Sequence, residues 1–167
     1  GNKLSCSFWC PLDMKLKDLE HSPCIIYCHG NAGNKIDIVE IFDFLLWDFN
    51  ICSFDFSGAG HSEGEYVTLG YFEKNDIRAV VDFLRNEFKI KKIIVYGRSM
   101  GAVSALRYAE MDSSINAVVL DSPFCDFTRL CGDILSNKIL IPNIVSDFFI
   151  DIARDKILSK ISDFDIL

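Results

Sequence analysis

The sequence predicts an α/β fold: a doubly wound, mostly parallel sheet with helices on both faces. Three observations predict it. Short strand-like runs at 24–28, 50–54, 92–96 and 116–120 alternate with stretches of helical character. Turn-rich, glycine-bearing loops follow the first three runs. One of these loops, Gly97-Arg98-Ser99-Met100-Gly101, joins a β-branched run directly to small and apolar residues at helical spacing. The 167 residues make one domain, large enough for a sizeable core. Half the residues are hydrophobic and 13% aromatic, which excludes a disordered chain. A net charge of -7 argues against nucleic acid or an anionic membrane surface as the main partner. No apolar run approaches the ~18 residues of a membrane-spanning helix.

Residues 4–10 read as a strand with an apolar bias, and the polar stretch from Pro11 to Pro23 as a loop or weak hairpin. Cys24-Ile25-Ile26-Tyr27-Cys28 is continuously apolar, as expected of a strand buried on both faces. After the loop His29-Gly30-Asn31-Ala32-Gly33-Asn34, residues 35–48 read as a helix with Asp37, Glu40 and Asp43 three apart on one face. Asn50 to Phe54 is the next strand, and Asp55 to Gly64 a second glycine-rich loop. Thr68 is expected to cap a helix running to about Phe88, with Ile77, Val80, Val81, Leu84 and Phe88 as its buried stripe. The strand at 92–96, a helix from about 100 to 110 and a strand at 116–120 follow. Beyond Pro123, the stripe Ile141, Ile144, Val145, Phe148, Phe149 and Ile152 makes 124–160 a candidate lid or cap. A helix simply packed on the sheet is the alternative.

Seven cysteines show no C-x-x-C and no Cys/His spacing suited to zinc, so no metal is expected. Cys24, Cys28 and Cys52 fall in or beside core strands, where a thiol behaves as a small hydrophobe. Reduced thiols of this kind suggest an intracellular, cytoplasmic protein.

Gly97-Arg98-Ser99-Met100-Gly101 between a strand and a helix is the pattern of a nucleophile elbow, a turn too tight for side chains at its glycines. With the loops at 29–34 and 55–62 in order before it, the set resembles the α/β-hydrolase superfamily. It looks closest to the serine-aminopeptidase-like esterases, thioesterases and lipases. The resemblance covers roughly residues 20–125, about the N-terminal two-thirds of such a domain, and implies a fold still lacking its C-terminal strands. It implies Ser99 as nucleophile, and the backbone N–H groups of Met100 and Asn31 as the oxyanion hole. The implied substrate is a small-molecule ester or thioester of a lipophilic acyl group. No cofactor is implied, and peripheral membrane contact would come through the lid or a lipidated substrate. His29 and Asn34 are read as holding the loop's shape, Asp55 and Ser57 as bracing the second loop, and His61 as exposed or supporting.

A serine hydrolase needs a general base, nearly always histidine, and in this superfamily it follows the serine and the acid in the chain. His21, His29 and His61 all precede Ser99. Asp121 stands where some members place the acid, and a turn ahead of Ser122-Pro123 is its alternative role. The expectation is therefore that acid and base lie beyond Leu167. The strand at 116–120 would then be left with an open edge, and the chain would associate with its C-terminal segment or form an oligomer. A non-catalytic α/β-hydrolase-fold binding module is the competing reading. A nucleotide-binding fold is disfavoured, because neither loop reads G-x-G-x-x-G or G-x-x-x-x-G-K-[ST].

Overall fold

The computed structural model describes residues 1–126, together with Asp155. Contacts divide the chain at Pro123 into Gly1–Pro123 and Phe124–Leu167. The first unit is described below; the candidate lid at 124–160 falls almost wholly outside the described residues.

Among the described residues, five strands form one sheet: β1 (Cys6–Trp9), β2 (Cys24–Cys28), β3 (Asn50–Phe54), β4 (Ile93–Arg98) and β5 (Ala117–Asp121). Their spatial order is β1-β3-β2-β4-β5. Only β1 runs antiparallel, pairing Cys6 with Phe54 and Trp9 with Ile51; β3, β2, β4 and β5 are mutually parallel. β2 and β3 are buried at every position; β2 is the unbroken apolar run expected of a strand covered on both sides, and the polar Asn50 and Ser53 of β3 bond to the Leu19 and Lys35 carbonyls.

Alternate residues separate the two faces. Ile25, Tyr27 and Ile51 face the segment Lys35–Trp47 and make a core with its Ile38 and Ile41. The other face carries helices α1 (Glu73–Glu87) and α2 (Met100–Ala109), packed against each other. Ala102 and Ala105 are fully buried, so α2 lies close on the sheet. β5 is the sheet's edge among the described residues, and its Val119 and Leu120 are 43% and 37% exposed.

Three local expectations are corrected. The stretch 35–48 is helical but adopts 3₁₀ geometry over Lys35–Trp47, broken at Ile41 (φ -120°, ψ 15°). Ile36, Val39, Phe44, Leu46 and Trp47 are exposed while Ile38 and Ile41 are buried, so apolar residues occur on all sides and no single stripe sets the helix in register. The helix expected from Thr68 begins at Glu73. Leu69 and Gly70 adopt φ of 55° and 106° and turn the chain first. The Glu73 carboxylate then accepts the N–H groups of Thr68 and Gly70, and Thr68 Oγ1 accepts from Phe72 N–H at 2.8 Å. Finally, the polar stretch before β2 contains a 3₁₀ turn, Leu16–His21, that buries Leu19.

Candidate active site

The site sits where β4 meets α2. Gly97 and Gly101 are dictated by space. A methyl group on Gly97 would overlap the Gly101 carbonyl, and one on Gly101 would overlap the Cys28 carbonyl of β2. Between them Ser99 is held at φ 53°, ψ -115°, a conformation rare for a residue with a side chain. Such strain costs on the order of 1–3 kcal/mol and persists only where neighbours over-determine it. Here they do. Ser99 N–H donates to the Asp121 carbonyl at 2.8 Å, and the Ser99 carbonyl accepts from Ala102 and Val103 N–H at 2.9 and 3.1 Å.

Met100 is the first residue of α2, so its N–H belongs to the first turn, where backbone donors have no partner within the helix. The ten-residue helix also places its positive end at the serine. The 29–34 loop lies alongside: a methyl on Gly30 would stand 3.7 Å from Ser99 Cβ. Asn31 is at the exposed tip of the turn closed by Gly33 N–H to the Gly30 carbonyl at 2.9 Å. The fold thus brings Ser99, Met100 and the loop bearing Asn31 to one place.

The supporting side chains are accounted for bond by bond. His29 is fully buried, and both ring nitrogens are engaged. Phe56 N–H donates to Nε2 at 3.1 Å, which leaves Nδ1 carrying the proton, 2.7 Å from the Gly30 carbonyl. His29 therefore ties the loop at 29–34 to the loop after β3. Asp55 accepts Lys35 N–H at 2.7 Å and His61 N–H at 2.9 Å, joining the same two regions. Ser57 donates its N–H and hydroxyl to Asp76 of α1 at 2.8 and 3.0 Å. Burial pushes the Asp76 carboxyl up, while its two bonds from Ser57 act to lower it. Asn34 Oδ1 accepts Ile36 N–H at 2.8 Å, and Asp37 returns the bond to Asn34 N–H at 3.2 Å. Of the three histidines, His21 and His61 are exposed and His29 is saturated.

An ionic cluster beside the serine had no signal in the sequence. Arg98 Nη1 donates to Glu40 Oε1 and Oε2 at 2.6 and 2.8 Å, across 58 residues. Arg98 Nε stands 3.7 Å from Asp121 Oδ2, and Asp121 also accepts the Ser122 hydroxyl at 2.8 Å. Beneath lies the fully buried Tyr27, stacked on Tyr96 at 5.7 Å. Burial, then the Glu40 and Asp37 carboxylates, push the Tyr27 phenol up to about 12, against the lowering influence of Arg98.

A serine in a strained strand-to-helix turn, with a glycine loop beside it at the C-terminal ends of parallel strands, matches one family. Residues 23–163 fit the model of the α/β hydrolase fold. The chain belongs to that family. It is 33% identical over 136 residues to the uncharacterized protein YqkD of Bacillus subtilis, a match covering 75% of this chain and 44% of YqkD. It is 30% identical over 138 residues to human α/β hydrolase domain-containing protein 17B, covering 78% of this chain and 43% of that one. Among solved structures, the Pyrococcus furiosus esterase Pf2001 superposes with a TM-score of 0.64 at 30% identity, over 78% of this chain and 53% of the esterase. The chain thus spans about half the length of the α/β hydrolases it matches. No helix among the described residues is long and apolar enough to cross a membrane.

Proposed function

We propose that this α/β hydrolase is a serine hydrolase that cleaves an ester or thioester of a lipophilic acyl group, with Ser99 as nucleophile. The observation that carries the reading is the strained Ser99 backbone, locked by Gly97, Gly101 and Asp121 at the head of α2. Strain is maintained where it serves a function, and here it lifts one hydroxyl clear of the sheet. Ser99 Oγ attacks the acyl carbon, and the Met100 and Asn31 N–H groups stabilise the resulting oxyanion. Each such donor is worth about 3–4 kcal/mol in the transition state. His29, held by both ring nitrogens, has no part in the reaction in this reading. The similarity to an esterase supports the ester class.

Labelling of the natural full-length protein with a fluorophosphonate tests the assignment. Ser99 Oγ forms the O–P bond as fluoride leaves. Labelling should vanish in Ser99→Ala, and turnover should fall by about 10⁶; labelling that survives the substitution defeats it.

The saturation of His29 favours a second reading, a binding module that keeps the elbow as architecture. A wild-type full-length protein that binds acyl ligands yet never reacts with the probe would establish it.

A further inference from the structure

We propose that Arg98, the residue before the nucleophile, is a positioning residue that holds the oxyanion loop against the elbow through Glu40. The inference rests on the serine-hydrolase reading and assigns that site a component the family match does not supply.

The guanidinium joins three pieces of chain. Its backbone is the last residue of β4, its Nη1 holds Glu40 at 2.6 and 2.8 Å, and its Nε faces Asp121 at 3.7 Å. Asp121 in turn receives the Ser99 N–H on its carbonyl. Glu40 lies in the segment Lys35–Trp47, which is continuous with the loop at 29–34 through the reciprocal Asn34–Asp37 cap. Arg98–Glu40 is therefore a side-chain tie from the elbow to the element that carries Asn31's loop.

The tie matters because that element is anchored at its start, where Lys35 N–H donates to Asp55 and Ser53 Oγ donates to the Lys35 carbonyl, but is kinked further along. Runs of 3₁₀ helix have poor hydrogen-bond geometry and rarely exceed 3–4 residues. Lys35–Trp47 is two short helices that meet at a kink at Ile41, immediately after Glu40, and it buries only Ile38 and Ile41. Arg98 and Glu40 are each about half exposed, at 47% and 49%. An exposed pair adds little to global stability. Its effect falls instead on the local placement of the loop, and a displacement of about 1 Å at a reacting centre can cost on the order of 100-fold in rate.

The test compares the rate of fluorophosphonate labelling in the natural full-length protein and its Arg98→Met, Glu40→Gln, Arg98→Lys and double Met/Gln variants, each normalised to folded protein. Both single neutral variants should label about 10- to 100-fold more slowly with little change in melting temperature. The double variant should be no slower than Arg98→Met, and Arg98→Lys should recover part of the rate. Wild-type rates in both single variants, multiplicative losses in the double variant, or a fall in melting temperature without a fall in normalised rate overturn the proposal. Amide hydrogen exchange over residues 30–34 supplies a readout independent of catalysis: faster exchange in Glu40→Gln supports the tie, and unchanged exchange overturns it. Labelling that persists in Ser99→Ala sinks the hydrolase reading, whereas the exchange result still judges the Arg98–Glu40 tie.

Discussion

Gly101→Ala sets helix propensity against space. Gly101 is the second residue of α2, and alanine in place of glycine within a helix should stabilise by about 1 kcal/mol. The structure predicts the reverse. A methyl group at this position overlaps the Cys28 carbonyl and stands 2.8 Å from the His29 carbonyl oxygen. Both are backbone atoms at the end of the fully buried central strand β2, so no side-chain rotation relieves the clash. The helix must lift from the sheet, disturbing Met100, Ala102 and Ala105, all fully buried. Overpacking of this kind costs about 3 kcal/mol at the upper end of the usual range. Subtracting the propensity gain leaves a net loss of about 2 kcal/mol. With a urea dependence of about 2 kcal/mol per M, the unfolding midpoint should drop by about 1 M. Urea unfolding of the natural full-length protein, followed by far-UV circular dichroism, measures it. A midpoint at or above wild type would mean that propensity governs and that the elbow tolerates a side chain there.

Two further perturbations address the supporting network. His29→Leu fills similar space but orphans the buried Phe56 N–H and loses the Gly30 contact, so thermal unfolding should show a loss of about 2 kcal/mol; an unchanged melting temperature would deny those bonds any weight. Asp112 accepts from Ser114, Tyr108 and Arg85, and these bonds hold its carboxyl below its ordinary 3.8. Because the folded value is the depressed one, its stabilisation is present above 3.8 and is lost as pH falls through the folded value. The urea midpoint should therefore decline less steeply below pH 4 in Asp112→Asn than in wild type, and parallel acid limbs would contradict the assignment.

The burial of β2 could be read from Cys24–Cys28, because a strand covered on both faces has no position at which a polar side chain can reach water. The elbow was equally legible, since Gly97 and Gly101 answer a local steric demand that no other residue can meet. Thr68 misled because the turn before α1 depends on the Glu73 carboxylate reaching back to the Thr68 and Gly70 N–H groups, an arrangement that a residue-by-residue pattern does not record. Lys35–Trp47 misled for a different reason: apolar residues around its whole circumference give periodicity nothing to select.

By itself the sequence determined the alternation of strands and helices and the identity of the strained serine. Those features rest on local chemistry: apolar runs and glycines. The tertiary structure decided the order β1-β3-β2-β4-β5, the saturation of His29 and the meeting of Arg98 with Glu40. The last two are bonds between side chains or loops 27 and 58 residues apart. Such partners are chosen by how the sheet stacks its loops, and that stacking is a property of the packed core as a whole.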